Sequence, residues 1–173
     1  MSATQAEILS LIAGRRERRP LRDLPALADL FRRLGACTGA EADDTEERIW
    51  DVWMDHPNQA AAAMLEAATR DIAARRYDIA ETRLTILLRN APQYAEAWHK
   101  RAALYYLLGR DGDCLHDIRR TLELEPRHFA AMLHFGEILL GVGAAADARY
   151  AFAAALSLHP HLPRARDALS DNP

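Results

Sequence analysis

Seven histidines are the side chains of this 173-residue chain best suited to chemistry. His99 and His134 each have a glutamate three residues away, Glu96 and Glu137. Imidazole nitrogens and carboxylate oxygens together are ligands typical of zinc. The two histidines, however, are far apart in the sequence and lack the short local spacing of metal-ligand motifs. The sequence therefore predicts no metal site, and a site built on this pair remains a minor alternative.

Three other histidines lie close to prolines. His128 follows Pro126 by two residues, and His159 and His161 flank Pro160. Prolines with polar neighbours are typical of turns at the protein surface. We therefore expect these three histidines to be solvent-exposed turn residues without a chemical role.

Motifs with a known catalytic mechanism are absent from the sequence. It contains no glycine-rich phosphate loop, nucleophile elbow, HExxH or CxxC. We expect no catalytic residue, no cofactor and no enzymatic activity. An enzyme or metal protein based on His99 and His134 is the competing hypothesis, which metal analysis of the purified protein would test.

The charge and the cysteines limit the class of partner and the compartment. The chain has 22 basic and 25 acidic residues, a net charge of −3. A nucleic-acid-binding surface is normally basic, so we expect no nucleic-acid partner. Cys37 and Cys114 are the only cysteines, which favours reduced thiols and a cytoplasmic location. Lys100 is the only lysine among the basic residues, and alanine is abundant, a composition typical of a GC-rich bacterial gene.

The first 20 residues predict neither a leader nor a membrane anchor. The short apolar stretch 8–13 precedes the basic run Arg15–Arg19, which is the reverse of a secretory signal. No apolar segment reaches the roughly 20 residues that cross a bilayer. We expect the basic run to be a mobile, solvated linker; a docking site for an acidic partner is the alternative.

A repeat of 34 residues organises most of the remaining chain. Pro92, Pro126 and Pro160 are each 34 residues apart. When the repeats are counted from residues 61, 95 and 129, other positions keep the same phase. Position 8 is small in all three repeats: Ala68, Ala102 and Gly136. Position 20 is also small: Ala80, Cys114 and Ala148. Position 24 is large and apolar: Leu84, Ile118 and Phe152.

This pattern resembles the tetratricopeptide repeat family over residues 61–162, with repeats at 61–94, 95–128 and 129–162. The resemblance implies an all-α solenoid in which each repeat is a pair of antiparallel helices. Trp98 and Tyr105 make the second repeat close to the family pattern. Asp71 departs from the pattern in the first repeat, because an apolar residue is usual there.

The resemblance also implies where a partner would bind. In this family the first helices of the pairs line a concave groove that holds a peptide or a helix of another protein. The groove positions of the three repeats correspond to Leu65, Glu66, Thr69 and Ile72, to Glu96, His99, Lys100, Ala103 and Tyr106, and to Leu133, His134, Glu137 and Leu140.

The groove residues also indicate what kind of partner is expected. The family's clamp for chaperone C-terminal carboxylates needs basic and amide residues where this chain has Leu65, Thr69 and Ala130. We therefore expect no such clamp, and an amphipathic helix or an apolar strand as the ligand. The groove could instead be filled by the chain's own N-terminal helix, whose apolar residues Ile8 and Ile12 need a cover.

Both ends of the chain fall outside the repeat phase. We expect an N-terminal helix and basic linker at 1–24, a degenerate helical hairpin at 25–60 stacked on the first repeat, and a short capping helix and tail at 163–173. Trp50 and Trp53 lie on one face of the hairpin, and we expect the first repeat to cover them. An exposed binding anchor is the alternative.

These observations predict a bacterial interaction module. We expect a non-catalytic adaptor or scaffold, monomeric or homodimeric, that binds a protein partner of unknown identity in its groove and has no membrane partner. A small tetratricopeptide chaperone of the secretion-chaperone type is the alternative. It would hold an aggregation-prone substrate, so co-purification with an otherwise insoluble protein would distinguish it.

Overall fold

A computed structural model describes residues 1–22 and 25–171, which form ten α-helices and no β-strand. The helices are α1 Ala3–Ala13, α2 Pro25–Leu34, α3 Ala40–Met54, α4 Gln59–Ala73, α5 Tyr77–Asn90, α6 Ala95–Leu107, α7 Asp111–Leu124, α8 Phe129–Gly141, α9 Ala145–Leu156 and α10 Pro163–Asp171. The end of the predicted linker at residues 23–24 and the tail residues 172–173 lie outside this description. The all-α prediction is confirmed.

Three helix pairs correspond to the three sequence repeats. In α4–α5, α6–α7 and α8–α9 the two helices of each pair pack against each other, and α6 and α8 each also contact the preceding pair. Pro92 and Pro126 follow the ends of α5 and α7 by two residues, since proline cannot continue a helix and restricts the residue before it. The predicted solenoid of antiparallel helix pairs is therefore confirmed.

The small residues at position 8 set the distance between paired helices. In the third repeat this residue is Gly136, and a Cβ atom placed on it would lie 2.5 Å from Cε1 of Phe152. The first and second repeats combine an alanine with a smaller side chain, Leu84 or Ile118, and all these side chains are fully buried. In the third repeat, the methyl group missing from Gly136 leaves the space that the larger ring of Phe152 fills.

The turn inside each pair has the same backbone shape. Arg75, Gly109 and Gly143 occupy the same repeat position and have φ angles of 58°, 67° and 75°. In each case the next residue's N–H bonds back to a carbonyl five residues earlier, as in a Schellman motif. Glycine adopts this left-handed conformation without strain, but an arginine does so at a cost.

Asp71 is a buried ion-pair centre where the family usually has an apolar residue. Its carboxylate lies 2.6 Å from Nη2 of Arg76 and 2.7 Å from Nε of Arg83. The hydrogen bond from Arg76 is the main reason why the pKa of Asp71 is lowered. The ion pairs therefore offset the burial of a charged group inside the first repeat.

The hydrophobic core divides into two clusters, and the division does not follow the repeat boundaries. One cluster joins α4 and α5 to part of α6. The other joins the N-terminal helices α1 to α3 to the second and third repeats and to α10. The N-terminal segment of residues 1–58 is therefore anchored mainly on the later repeats.

The helix α1 lies against the second helices of the pairs. It contacts α7 and α9, and Ile8 and Ile12 are completely buried there. The hypothesis that α1 fills the groove of the first helices is wrong, because its apolar face is covered on the opposite side of the helix pairs. Leu21 then donates its N–H to the carbonyl oxygen of Leu124, where the linker passes the end of α7.

The hairpin α2–α3 lies against the turns that join the repeats. Tyr94 donates its hydroxyl hydrogen to the carbonyl oxygen of Met54, and His161 Nε2 lies 2.8 Å from the carbonyl oxygen of Cys37. Trp53 is buried as expected, but its aromatic neighbours His128 and Phe129 belong to the junction of the second and third repeats. The expectation that the first repeat covers the tryptophans is wrong.

The short helix α10 packs on α9 after the third repeat. Its residue Ala165 is fully buried, and Leu162 just before it is also part of the core. Throughout residues 1–22 and 25–171, none of the helices is both long enough and apolar enough to cross a membrane.

Candidate functional site

The first helices α4, α6 and α8 contact one another in series and form a continuous face, called here the first-helix face. The structure places all the predicted groove residues on these helices. Four of them are buried, Glu66 is exposed and the others are partly buried; the buried ones are Leu65, Glu96, His99 and Leu133. The amino-terminal and carboxy-terminal halves of these helices differ sharply in what covers them.

The amino-terminal half is covered by the protein's own hairpin. The Trp50 ring stacks on the His99 ring at 5.8 Å between centroids, and the Trp53 ring stacks on the His128 ring at 4.2 Å. Both tryptophans also contact the ring of Phe129. The α2–α3 hairpin thus occupies the part of the face where a partner was expected.

Beneath these rings lies a fully buried carboxylate, Glu96. Its oxygens lie 3.0 Å from Lys100 Nζ, 2.8 Å from His128 Nε2 and 3.5 Å from His99 Nδ1. Burial by itself raises the pKa of Glu96, but the three partners outweigh burial and hold that pKa well below its usual range. Glu96 is therefore a charged group whose desolvation is offset by hydrogen bonds.

Glu96, His99 and His128 have ligand atoms within 4.8 Å of one another, so the fit of a metal ion can be tested. Nδ1 of His128 accepts a hydrogen bond from the N–H of Ala131, which places the ring hydrogen on Nε2. A metal bound at Nε2 would require the ring hydrogen to lie on Nδ1. Nδ1 could then no longer accept the hydrogen bond from Ala131, and the helix cap would be lost. Lys100 adds a positive charge beside the carboxylate. The geometry thus favours a hydrogen-bonded network, and the absence of a metal stays a prediction.

The two histidines singled out in the sequence do come together. The rings of His99 and His134 stack with their centroids 5.5 Å apart. The ring of Tyr106 also stacks on His134, at 5.3 Å between centroids. Burial lowers the pKa of His99 to about 3 and that of His134 to about 4, because the charged ring is poorly solvated there. Both rings are therefore neutral at physiological pH.

Two of the three turn histidines are buried, so the expectation that they are exposed is wrong for these two. His128 and His159 are almost completely buried, and His161 is partly buried. His159 Nε2 lies 2.9 Å from the carboxylate of Glu46, and this contact is the main reason why the pKa of Glu46 is lowered. The hairpin covers these turns, and the local sequence carries no signal for that long-range contact.

The carboxy-terminal half of the face carries a polar cluster formed by Tyr106, Glu137 and Arg164. Arg164 of α10 lies 2.5 Å from Oε1 of Glu137, whereas Oε2 of Glu137 is buried and has no hydrogen-bond partner among the described residues. Burial raises the pKa of Glu137, although Arg164 and Tyr106 oppose this effect. Tyr106 and Glu137, both predicted groove residues, thus lie together next to α10.

At their carboxy-terminal ends, α6 and α8 also expose apolar side chains. Leu107 is 58% exposed, Leu108 is 40% exposed and Val142 is 59% exposed. Leu108 and Val142 occupy the same position in successive repeats, directly after the mapped groove positions. Sequence mapping did not include Leu108 and Val142, although their shared repeat position was a usable signal.

The comparisons with known proteins point to one group. A TPR repeat-containing protein of Rhizobium etli is 31% identical to this chain over 91 residues, which make up 53% of this chain and 45% of that protein. The match thus spans less than half of the relative's length. No family model matches the chain.

Proposed function

We propose that this chain, which is similar to a TPR repeat-containing protein and folds as a series of helix pairs, is a tetratricopeptide repeat protein and acts as a non-catalytic protein-interaction module. Repeat solenoids recognise other proteins through an extended face built by successive helix pairs. We propose that this chain acts as an adaptor or scaffold and that its partner is a protein. A cytoplasmic location is part of the proposal, supported by two buried, free cysteines.

The partner segment binds at the carboxy-terminal half of the first-helix face. The observation that carries this assignment is the exposure of Leu107 and Val142 in adjacent repeats, beside the partly buried Tyr106 and Leu140. Exposed apolar side chains that form a contiguous patch are typical of interaction surfaces. The groove residues Thr69, Ile72 and Ala103 extend this patch towards the first repeat.

An amphipathic helix is the form of partner best suited to this surface. The exposed side chains are apolar, and Glu137 and Arg164 supply a polar pair on the same half of the face. A helix presents apolar residues at intervals of three and four, which suits a face with scattered polar groups. The amino-terminal half takes no part, because Trp50 and Trp53 already cover it.

The test is affinity capture with two variants of equal design. The double variant Leu107→Glu, Val142→Glu places charge on the patch at exposed positions, so folding should be preserved. The control Ile79→Glu, Ile86→Glu changes side chains that are 45% and 43% exposed on the second helix of the first repeat. Proteins from the source cell that bind the wild type and the control, but not the patch variant, are candidates.

Each candidate is then purified and its affinity measured by calorimetry. We expect the patch variant to bind at least about tenfold more weakly than the control, as for a central interface pair. Equal affinities for the patch variant and the control would refute the assignment. A captured protein that is insoluble when produced alone would instead favour the secretion-chaperone alternative.

A further inference from the structure

Five arginines line one open cavity at the edge of the helix pairs, called here the arginine pocket. Its volume is about 350 Å³, and its wall consists of Arg15, Arg16, Arg18, Arg19, Pro20, Arg127, Ser157 and Leu158. The linker after α1 supplies four of the arginines, and the turn before α8 supplies the fifth. None of the residues lining the pocket is acidic.

Two of the guanidinium groups are held in place by the ends of helices. Arg15 donates to the carbonyl oxygen of Ile12 at 2.8 Å and to Ser157 Oγ at 3.0 Å. Arg18 donates to the carbonyl oxygen of Glu123 at 3.1 Å. Binding to the last carbonyls of α1 and α7 explains these two arginines as helix caps. Arg15 and Arg18 thus contact the repeats, so the expectation of a freely solvated basic run is wrong at these two residues.

Helix capping does not account for Arg16 and Arg19. Both are exposed, and neither forms an ion pair within the described ranges 1–22 and 25–171. Arg127, across the pocket, is bound to Glu125 and lies over the ring of Phe31. The pocket therefore gathers more positive charge than its neighbours neutralise, on a chain whose net charge is −3. Bringing like charges together is unfavourable, and a bound anion would relieve it.

The shape and the chemistry of the pocket favour carboxylates over phosphate. Helix amino-termini bind phosphate through backbone N–H groups, whereas the helices α1, α7 and α9 end at this pocket with their carbonyl groups. The guanidinium forks match carboxylates in pairs of parallel hydrogen bonds. Pro20 and Leu158 provide apolar surface for the methylene groups of glutamate side chains.

We propose that the arginine pocket binds an acidic peptide segment with two or more neighbouring carboxylates. This site is separate from the first-helix face, and it does not depend on the function proposed for that face. The anchored Arg15 and Arg18 supply fixed charge, and Arg16 and Arg19 close on the ligand. The interaction is electrostatic and weakens as salt screens the charges.

The test measures binding of a fluorescein-labelled hexaglutamate peptide to the full chain by fluorescence anisotropy at about 50 mM salt, where screening is modest. The variant Arg16→Ala, Arg19→Ala removes two exposed arginines from the pocket. The matched control Arg48→Ala, Arg89→Ala removes the same charge from exposed positions outside the pocket. We expect about tenfold weaker binding by the pocket variant, as for two charge pairs, and nearly unchanged binding by the control.

Four results would overturn the proposal. The first is the absence of an anisotropy change when the peptide is mixed with the wild type, which would mean that the pocket does not bind it. If peptide binding is weakened equally in the pocket variant and in the control, the loss of net positive charge would explain the effect, and the pocket would have no special role. Displacement of the peptide by inorganic phosphate at the peptide's own concentration would assign the pocket to phosphate. Tighter binding of a single-stranded DNA oligonucleotide, lost in the pocket variant, would assign it to nucleic acid.

Discussion

The three repeats and the N-terminal segment of residues 1–58 bury their apolar side chains by different means. In the repeats each helix packs on its nearest neighbours, and one pattern of small and large residues serves every layer. The N-terminal helices instead pack against elements that follow much later in the chain, α1 on α7 and α9, and α3 on the junction of the second and third repeats. Contacts that recur with the repeat can be predicted from sequence spacing, whereas the contacts between the N-terminal helices and the later repeats cannot.

The difference also determines which part of the first-helix face is free. In the amino-terminal half the hairpin contributes Trp50 and Trp53 to a buried network with His99, His128 and Glu96. In the carboxy-terminal half no helix of the described part of the chain covers Leu107 and Val142. The N-terminal segment therefore acts as a built-in occupant of half the face.

The largest expected effect is acid lability at the junction of the two regions. The pKa values of His99 and His134 are lowered to about 3 and 4 by burial. Unfolding restores their ordinary pKa near 6.5, so the unfolded chain binds more protons and stability falls as the pH drops below 6.5. Each group contributes about 1.4 kcal/mol per pH unit, so we expect a loss of several kcal/mol by about pH 4.

Urea denaturation at a series of pH values checks this dependence. The slope of unfolding free energy against pH measures how many more protons the unfolded chain binds than the folded one. Between pH 6 and 4 this number should be smaller by about one in His99→Gln than in the wild type. A slope identical to that of the wild type would mean that His99 is protonated in the folded protein, which would contradict its burial in the network.

Trp53 tests whether the hairpin is integral to the fold. We expect Trp53→Ala to lower the free energy of unfolding by about 3–5 kcal/mol, because it empties a buried site between the two regions. Trp98 lies within the repeats but is only partly buried, so Trp98→Ala should be less harmful. Chemical denaturation compares them, and a larger effect at Trp98 would contradict the account.

A conservative change at the same site sharpens this result. Nε1 of Trp53 is buried and has no hydrogen-bond partner within residues 1–22 and 25–171. Trp53→Phe therefore retains the stacking on His128 without losing a hydrogen bond, and it should recover most of the stability. Failure of phenylalanine to do so would indicate that the indole N–H is bonded in solution.

Gly136 tests the spacing rule inside the repeats. We expect Gly136→Ala to cost about 1–3 kcal/mol, because its methyl group overlaps the ring of Phe152. Adding Phe152→Leu recreates the alanine and leucine pair of the first repeat and should recover part of the loss. Additive effects in a double-mutant cycle, measured by thermal unfolding, would show that the two residues do not share one space.

The smallest expected effect is at the turn of the first repeat. Arg75→Gly should raise stability by about 0.5–1 kcal/mol, because glycine adopts a φ of 58° without strain. Gly109→Ala introduces that strain at the same position of the second repeat and should lower stability by a similar amount. A loss of stability in Arg75→Gly would mean that contacts of the arginine side chain outweigh the backbone strain.

The sequence was sufficient to predict the helix pairs of the repeats but not the position of the N-terminal segment on them. Prolines such as Pro126 and the small residues at positions 8 and 20 predicted the helix pairs, because those contacts recur at a fixed spacing. The burial of His128 depends on Trp53, which is far away in the sequence. Local propensity cannot reveal such a pair, so the covered half of the candidate site was mapped as open.

Hydrogen exchange of the complex with a purified partner tests the central claim most directly, since it reports protection along the whole chain. The account predicts added protection at the carboxy-terminal ends of α4, α6 and α8, around Ile72, Leu107 and Leu140, with little change in α5. Protection confined to α5, or release of the α2–α3 hairpin in favour of the partner, would contradict it.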